Sequence, residues 1–209
     1  MIRILIADDH TVVRKGLRQI LAEEFTDAHI EDVPDAEELI MKIIREKWDI
    51  VISDLSMPGK SGLDALQHIR QHYPSLPVLI LSIHPEEQYA IRVLKAGASG
   101  YLSKDAAPDE LVNAVKRLLL GKKYITVNMA EKIAEVFNRS AEKKPHEMLS
   151  DREFDVFRMI AVGKSISEIA DALSLSVNTV STYRTRIMTK MNMKSNANLT
   201  VYALENKLL

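Results

Sequence analysis

The sequence predicts an α/β fold: a doubly wound, five-stranded parallel sheet followed by a small all-α domain of four helices. Three observations carry this. Short apolar runs alternate with amphipathic stretches up to about residue 121, the order that builds parallel sheets with helices on both faces. Three of the runs, "ILIA", "IVIS" and "VLILS", are apolar without alternation, as central strands buried on both sides are. From Met148 onward no strand signal remains and every period is helical.

The strands are expected at 2–7, 29–33, 49–53, 78–83 and 100–103, with "HIEDV" at 29–33 weak enough to be an edge. Helical spacing covers 12–24, 36–46, 62–71, 86–96 and 108–119, as in Leu17, Ile20 and Leu21 or Leu111, Val115 and Leu118. These residues, 1–121, form the first expected domain. Residues 122–146 hold a helix at 129–138 and the start of a polar stretch, "RSAEKKPHE", read as a linker for its charge and its proline. The second domain, 147–209, opens two helices with S-x-x-E capping boxes, Ser150 to Glu153 and Ser165 to Glu168. Its third helix should begin near Ser176 to Asn178 and its fourth near Ser195.

Composition narrows the function. The chain has 209 residues, a net charge of −1 and no cysteine, so disulfides and thiolate–metal sites are excluded and anion binding must come from local patches. The opening "MIRILIADDH" is too short and too acidic for a signal peptide or a membrane span, and no other window suits a bilayer. A soluble, cytoplasmic protein with no membrane partner is expected.

In an open parallel sheet, functional groups gather where the carboxyl ends of the strands meet the loops. Those ends carry Asp8 and Asp9, then Asp54, Ser82 and Lys104. Each residue alone reads as an ordinary strand-end or loop polar group; acids, a lysine and a hydroxyl converging from four strands do not. Crowded carboxylates need a cation, and Mg²⁺ characteristically takes one or two of them while keeping waters. The set also suits phosphoryl capture, with Asp54 as nucleophile, Lys104 neutralising the transferring oxygens and Ser82 donating to one of them.

The stretches "ADDH" at 7–10, "SDLSMPGKSG" at 53–62, "LS" at 81–82 and "GASGYLSKD" at 97–105 resemble the receiver domain of two-component response regulators, over about residues 2–120. The resemblance implies a flavodoxin-like receiver in which Asp54 is the phospho-acceptor. It also implies that Asp8, Asp9, Asp54 and the backbone carbonyl of Ser56 hold Mg²⁺. Ser82 and Lys104 would contact the phosphoryl group, and Ser82 and Tyr101 would be the residues that switch. Asp105 stands where many receivers carry proline.

In the second domain, Ile166, Ile169, Ala170 and Leu173 form one apolar face and Val180, Ile187 and Met191 another, with a short turn between them, as in a helix-turn-helix. Between Ser176 and Lys194 the chain has four cations and no acid. "LSDREFDVFRMIAVGKSISEIADALSLSVNTVSTYRTRIMTKMNMKS" resembles the LuxR-type DNA-binding domain, and the two resemblances together imply the NarL/FixJ class. By that resemblance Ser181, Thr182 and Thr185 face bases, while Asn178, Thr179, Arg184, Arg186 and Lys190 contact phosphates or groove. Ser181 and Tyr183 stand where many relatives carry lysine and histidine.

The expected function is a phosphorylation-dependent regulator of transcription rather than an enzyme. A sensor histidine kinase would be the donor, and the chain would bind double-stranded promoter DNA as a homodimer and act with RNA polymerase. Two alternatives remain at this point. A phosphotransferase or phosphatase working through an aspartyl-phosphate leaves residues 147–209 without a role; a constitutive DNA binder leaves Asp54 and its partners without one.

Overall fold

Five strands, β1 (Arg3–Ala7), β2 (His29–Val33), β3 (Ile50–Asp54), β4 (Val78–Ser82) and β5 (Gly100–Ser103), lie in the order β2-β1-β3-β4-β5, every pair parallel. The three non-alternating apolar runs occupy the centre of the sheet and "HIEDV" an edge, because only central strands lose water on both faces. This computed structural model describes residues 1–84, 86–126, 129–131 and 144–209. The chain divides into two units, Met1–Phe137 and Asn138–Leu209.

In the first unit, helices α1 (Thr11–Glu24), α2 (Ala36–Arg45), α3 (Gly62–His72), α4 (Glu86–Lys95) and α5 (Ala107–Leu119) connect or follow the strands. Leu17 and Leu21 of α1 and Leu111, Val115 and Leu118 of α5 join Ile4, Ile6, Ile50, Ile52, Leu79 and Leu81 in one buried cluster on one face of the sheet. Burying a side chain of this size contributes about 1.5–3 kcal/mol, so this face alone outweighs any single polar contact in the unit. Among the described residues, no helix is long and apolar enough to cross a membrane.

Residues 122–126, expected to lead into a tether, instead turn back onto the sheet. Tyr124 bridges Gly100 beyond β5 and donates its N–H to the Ser99 carbonyl at 3.0 Å. Thr126 donates its hydroxyl to Glu86 at the start of α4 at 2.6 Å. The covered strand edge is one that would otherwise expose unpaired backbone groups. Of the helix expected at 129–138, residues 129–131 are described and are helical; 132–138 and residues 139–143 of the polar stretch lie outside the described residues. The last of that stretch, with Met148, forms a short 3₁₀ helix, Pro145–Met148.

The second unit contains α6 (Asp151–Ala161), α7 (Ile166–Leu173), α8 (Val177–Met191) and α9 (Asn196–Glu205). Both capping boxes form as read: Ser150 and Glu153 exchange bonds at the start of α6, Ser165 and Glu168 at the start of α7. Ser176 and Ser195 cap α8 and α9. Between α7 and α8 the chain reverses through Ser174 at φ 54°, a left-handed conformation that ends α7 and starts the turn.

Candidate functional site

The register of the sheet aligns its carboxyl ends. Ala7 pairs with Ser53, Asp54 with Leu81 and Ser82 with Ser103, so Asp8, Asp54, Ser82 and Lys104 emerge side by side from four strands. Asp8 and Ser82 are fully buried and Asp54 is 3% exposed. Lys104 Nζ lies 2.7 Å from Asp8 Oδ2 and 3.0 Å from Asp54 Oδ2, one ammonium bridging two buried carboxylates. The Lys104 N–H also donates to the Ser82 carbonyl at 2.8 Å, tying the two strand ends together.

These charges perturb one another. Burial pushes the Asp54 carboxyl above the usual aspartate range; Lys104 opposes the shift, Asp8 adds to it and the Ser56 N–H works against it. For Lys104, burial favours the neutral amine. The hydrogen bond to Asp8 and the charge of Asp54 outweigh burial, so its pKa rises and the ammonium persists. Ser56, whose carbonyl the resemblance assigns to the metal, thus also presents its N–H to Asp54.

Asp8, Asp9, His10 and Asp54 each bring one ligand atom within 4.8 Å of the others. Asp8 Oδ2 and Asp9 Oδ1 are buried, and their close partners are the Lys104 ammonium at 2.7 Å and His10 Nδ1 at 2.8 Å respectively. One such contact to each oxygen leaves carboxylate lone pairs unspent. Hard oxygen donors in that condition suit Mg²⁺.

The loop after β3 ends on a glycine, Gly62, whose close approach to the strand carries no signal in the sequence. Gly59 takes φ 70°, and Ser61 caps α3 with Asp64 completing a capping box. Gly62 then donates its N–H to the Leu55 carbonyl at 3.0 Å, and a Cβ on it would stand 1.9 Å from the Asp54 carbonyl oxygen. The second glycine of "PGKSG" thus lets α3 start directly against the acid-bearing strand end.

Tyr101 is buried, and its hydroxyl donates to the His84 carbonyl at 2.8 Å. The His84 N–H donates to Ser82 Oγ at 3.0 Å, so one residue connects the tyrosine with the serine. Neither His84 nor His10 was legible beforehand, since both act through backbone groups or short contacts with no periodic signal.

On α8, Val180, Ile187 and Met191 are buried as expected. Asn178, Ser181, Thr182, Thr185 and Arg186 are exposed, and Thr179 and Arg184 are half-buried. Thr182 and Thr185 donate their hydroxyls back to the Asn178 and Ser181 carbonyls, at 2.9 and 3.1 Å, so both turn acceptor oxygens outward. Arg184 Nε donates to Asn196 Oδ1 at 2.9 Å. Lys190 is different. The sequence offers no acid between Ser176 and Lys194, but the fold brings Glu153 from α6, and Lys190 Nζ lies 2.6 Å from its buried carboxylate. That bond gives Lys190 a structural duty within the unit.

Residues 4–116 match the family described as the response regulator receiver domain, and residues 147–203 match the luxR family of bacterial regulatory proteins. The chain belongs to the response regulators. Oxygen regulatory protein NreC of Staphylococcus epidermidis is 37% identical to this response regulator over 99% of both chains, and NreC of Staphylococcus carnosus is 37% identical with the same coverage. Among solved structures, RcsB of Salmonella enterica serovar Typhimurium, bound to promoter rprA with the phosphomimetic BeF3-, is 28% identical with a TM-score of 0.65, over 97% of this chain and 98% of that one. A LuxR-family two-component response regulator from Aurantimonas sp. is 36% identical with a TM-score of 0.59, over 66% of this chain and 98% of that one. This response regulator therefore couples a receiver to a LuxR-type DNA-binding unit in phosphorylation-dependent control of transcription.

Proposed function

We propose that Asp54 is the phospho-acceptor of this regulator and that a sensor histidine kinase is its donor. The observation that carries the reading is the Lys104 ammonium bridging Asp54 and Asp8, with Ser82 at the neighbouring strand end. An Asp54 carboxylate oxygen attacks phosphorus, an O–P bond forms, the P–N bond of the phosphohistidine breaks, and the imidazole leaves with the electron pair. Lys104 is placed to neutralise the transferring oxygens and Ser82 to donate a hydrogen bond to one. Asp8, Asp9, Asp54 and the Ser56 carbonyl would hold Mg²⁺. When bound there, the ion would supply Lewis-acid neutralisation of phosphoryl charge.

The modified aspartate carries about −1.5 to −2 charges by analogy with other phosphorylated side chains. Lys104 and Ser82 then exchange carboxylate and backbone partners for phosphoryl oxygens. Because His84 bonds both Ser82 and Tyr101, movement of the serine reaches the tyrosine through that one residue. The receiver promotes only its own phosphorylation and dephosphorylation. Residues 1–121 are its extent and 147–209 the DNA-binding domain. Two copies read a near-palindromic promoter site through Ser181, Thr182 and Thr185, with Asn178, Thr179, Arg184 and Arg186 on backbone or groove, and so act on RNA polymerase. Lys190 serves first to hold Glu153.

Incubation with acetyl phosphate and Mg²⁺ tests the acceptor. The wild type becomes labelled and Asp54→Asn does not; equal labelling of the two removes Asp54 from the role.

A further inference from the structure

Asp8 is engaged at each of its polar atoms. Its N–H donates to the Val33 carbonyl at 3.2 Å, Oδ1 accepts from the His10 N–H at 2.8 Å, and Oδ2 lies 2.7 Å from Lys104 Nζ. The fourth contact is to its carbonyl, which accepts from Arg14 Nη1 at 2.6 Å. Arg14 stands in the first turn of α1, and its side chain is only 13% exposed. From the same guanidinium, Nε donates to Asp32 Oδ2 at 2.9 Å, and Arg18 reaches the other Asp32 oxygen at 3.2 Å. Asp32 lies on β2 opposite Ile6, two residues before Asp8 on the neighbouring strand.

A guanidinium beside a site that must bind a cation opposes that binding by charge. Arg14 is nevertheless held rigidly there, and its planar fork spans two acceptors that no other described side chain joins. The bridge has two geometric effects. It fixes the Asp8 peptide at the point where β1 gives way to α1, beside the carboxylate whose ligand atom lies within 4.8 Å of those of Asp9 and Asp54. It also occupies the Asp32 carboxylate, which stays out of the cluster formed by Asp8, Asp9, His10 and Asp54.

We propose that Arg14 is a positioning residue for divalent-cation binding, joining the Asp8 carbonyl to Asp32 so that the Asp8 carboxylate is preset for the ion. The proposal rests on the reading of Asp8, Asp9 and Asp54 as the cation site. Charge and geometry predict opposite signs when the arginine is removed. Loss of a neighbouring positive charge tightens cation binding, whereas loss of positioning weakens it, on the scale of about 10–100-fold found for residues that orient metal ligands.

Calorimetric titration of the full chain with Mg²⁺ separates these, using Arg14→Gln, Arg14→Lys, Asp32→Ala and Asp8→Asn beside the wild type. Melting without Mg²⁺ verifies that each variant is folded. Arg14→Gln is expected to weaken Mg²⁺ binding about tenfold or more, Asp32→Ala to weaken it in the same direction, and Arg14→Lys to recover only part. Labelling by acetyl phosphate slows at limiting Mg²⁺ and returns at saturating Mg²⁺. If Arg14→Gln melts too low to titrate, Asp32→Ala carries the test, since it keeps the arginine but removes its anchor. Unchanged or tighter binding in these variants, with Asp8→Asn weakened, overturns the role of Arg14 alone. Wild-type binding by Asp8→Asn overturns the cation site itself and the proposal with it.

Discussion

The Asp54 carbonyl oxygen would lie 1.9 Å from any Cβ at position 62, and as a backbone atom it cannot swing aside. Alanine normally stabilises a helix relative to glycine by roughly 0.5–1 kcal/mol. Here the sign reverses, because the methyl group forces β3 and α3 apart. Gly62→Ala is expected to cost about 1–3 kcal/mol or more, the range for overpacked interiors, read from the urea midpoint of the first unit. Labelling of Asp54 should fall with it, since the same displacement moves the proposed acceptor. The strand-end acids were legible in the sequence because apolar runs end visibly. Gly62 was not, because its importance is a distance to one backbone atom.

At the scale of elements, α6 and α8 are joined by a carboxylate that serves both. Glu153 completes the capping box of α6 and accepts from Lys190 of α8. Burial would raise its pKa, but Lys190 and the Ser150 groups outweigh burial and hold it below the ordinary glutamate value. The unfolded chain therefore binds this proton more readily than the folded one. The resulting stability is present above the ordinary value of about 4.3 and is lost as pH falls through the lower folded value. Hydrogen exchange of α6 and α8 amides in a series descending from about pH 6 should show protection failing in that window. In Lys190→Met the pH-dependent loss should shrink, because the carboxylate has lost its main charged partner and its folded value moves back toward the unfolded one. The helix starts were readable from four serine caps, each a local signal. The Glu153–Lys190 pair was not, because its members lie 37 residues apart and no local pattern brings them together.

For the whole molecule, function depends on charge placed locally in a chain whose net charge is −1. On the proposed reading, DNA binding draws on the α8 cations rather than on an overall field, and its salt dependence would count them. Arg184→Ala and Arg186→Ala should each flatten the log–log slope of affinity against salt by about 0.9 for every phosphate that is no longer neutralised. Lys190→Met should change it less, as that ammonium is already matched by Glu153. An unchanged slope for either arginine would remove it from the interface. The architecture was legible at this scale because strand–helix alternation and helix-only periods are sustained over many residues. The return of residues 122–126 to the sheet was not, since Tyr124 and Thr126 act through isolated bonds to Ser99 and Glu86.

Lys104 makes the acidic pocket an ion exchanger. Its ammonium is attached to the strand that lines the pocket, so its effective concentration there is fixed by the fold and cannot be diluted away. A divalent ion bound as proposed would not fill an empty trap; it would compete with a resident monovalent cation already paired with two of the carboxylates. Two ligands that neutralise the same pocket are thermodynamically antagonistic, and each lowers the apparent affinity of the other. On the proposed reading, an incoming phosphoryl group would ease that rivalry by giving both cations an anion to share. The pocket would then hold metal and lysine together more tightly once phosphorylated, which would make the ion's apparent affinity a reporter of the modification.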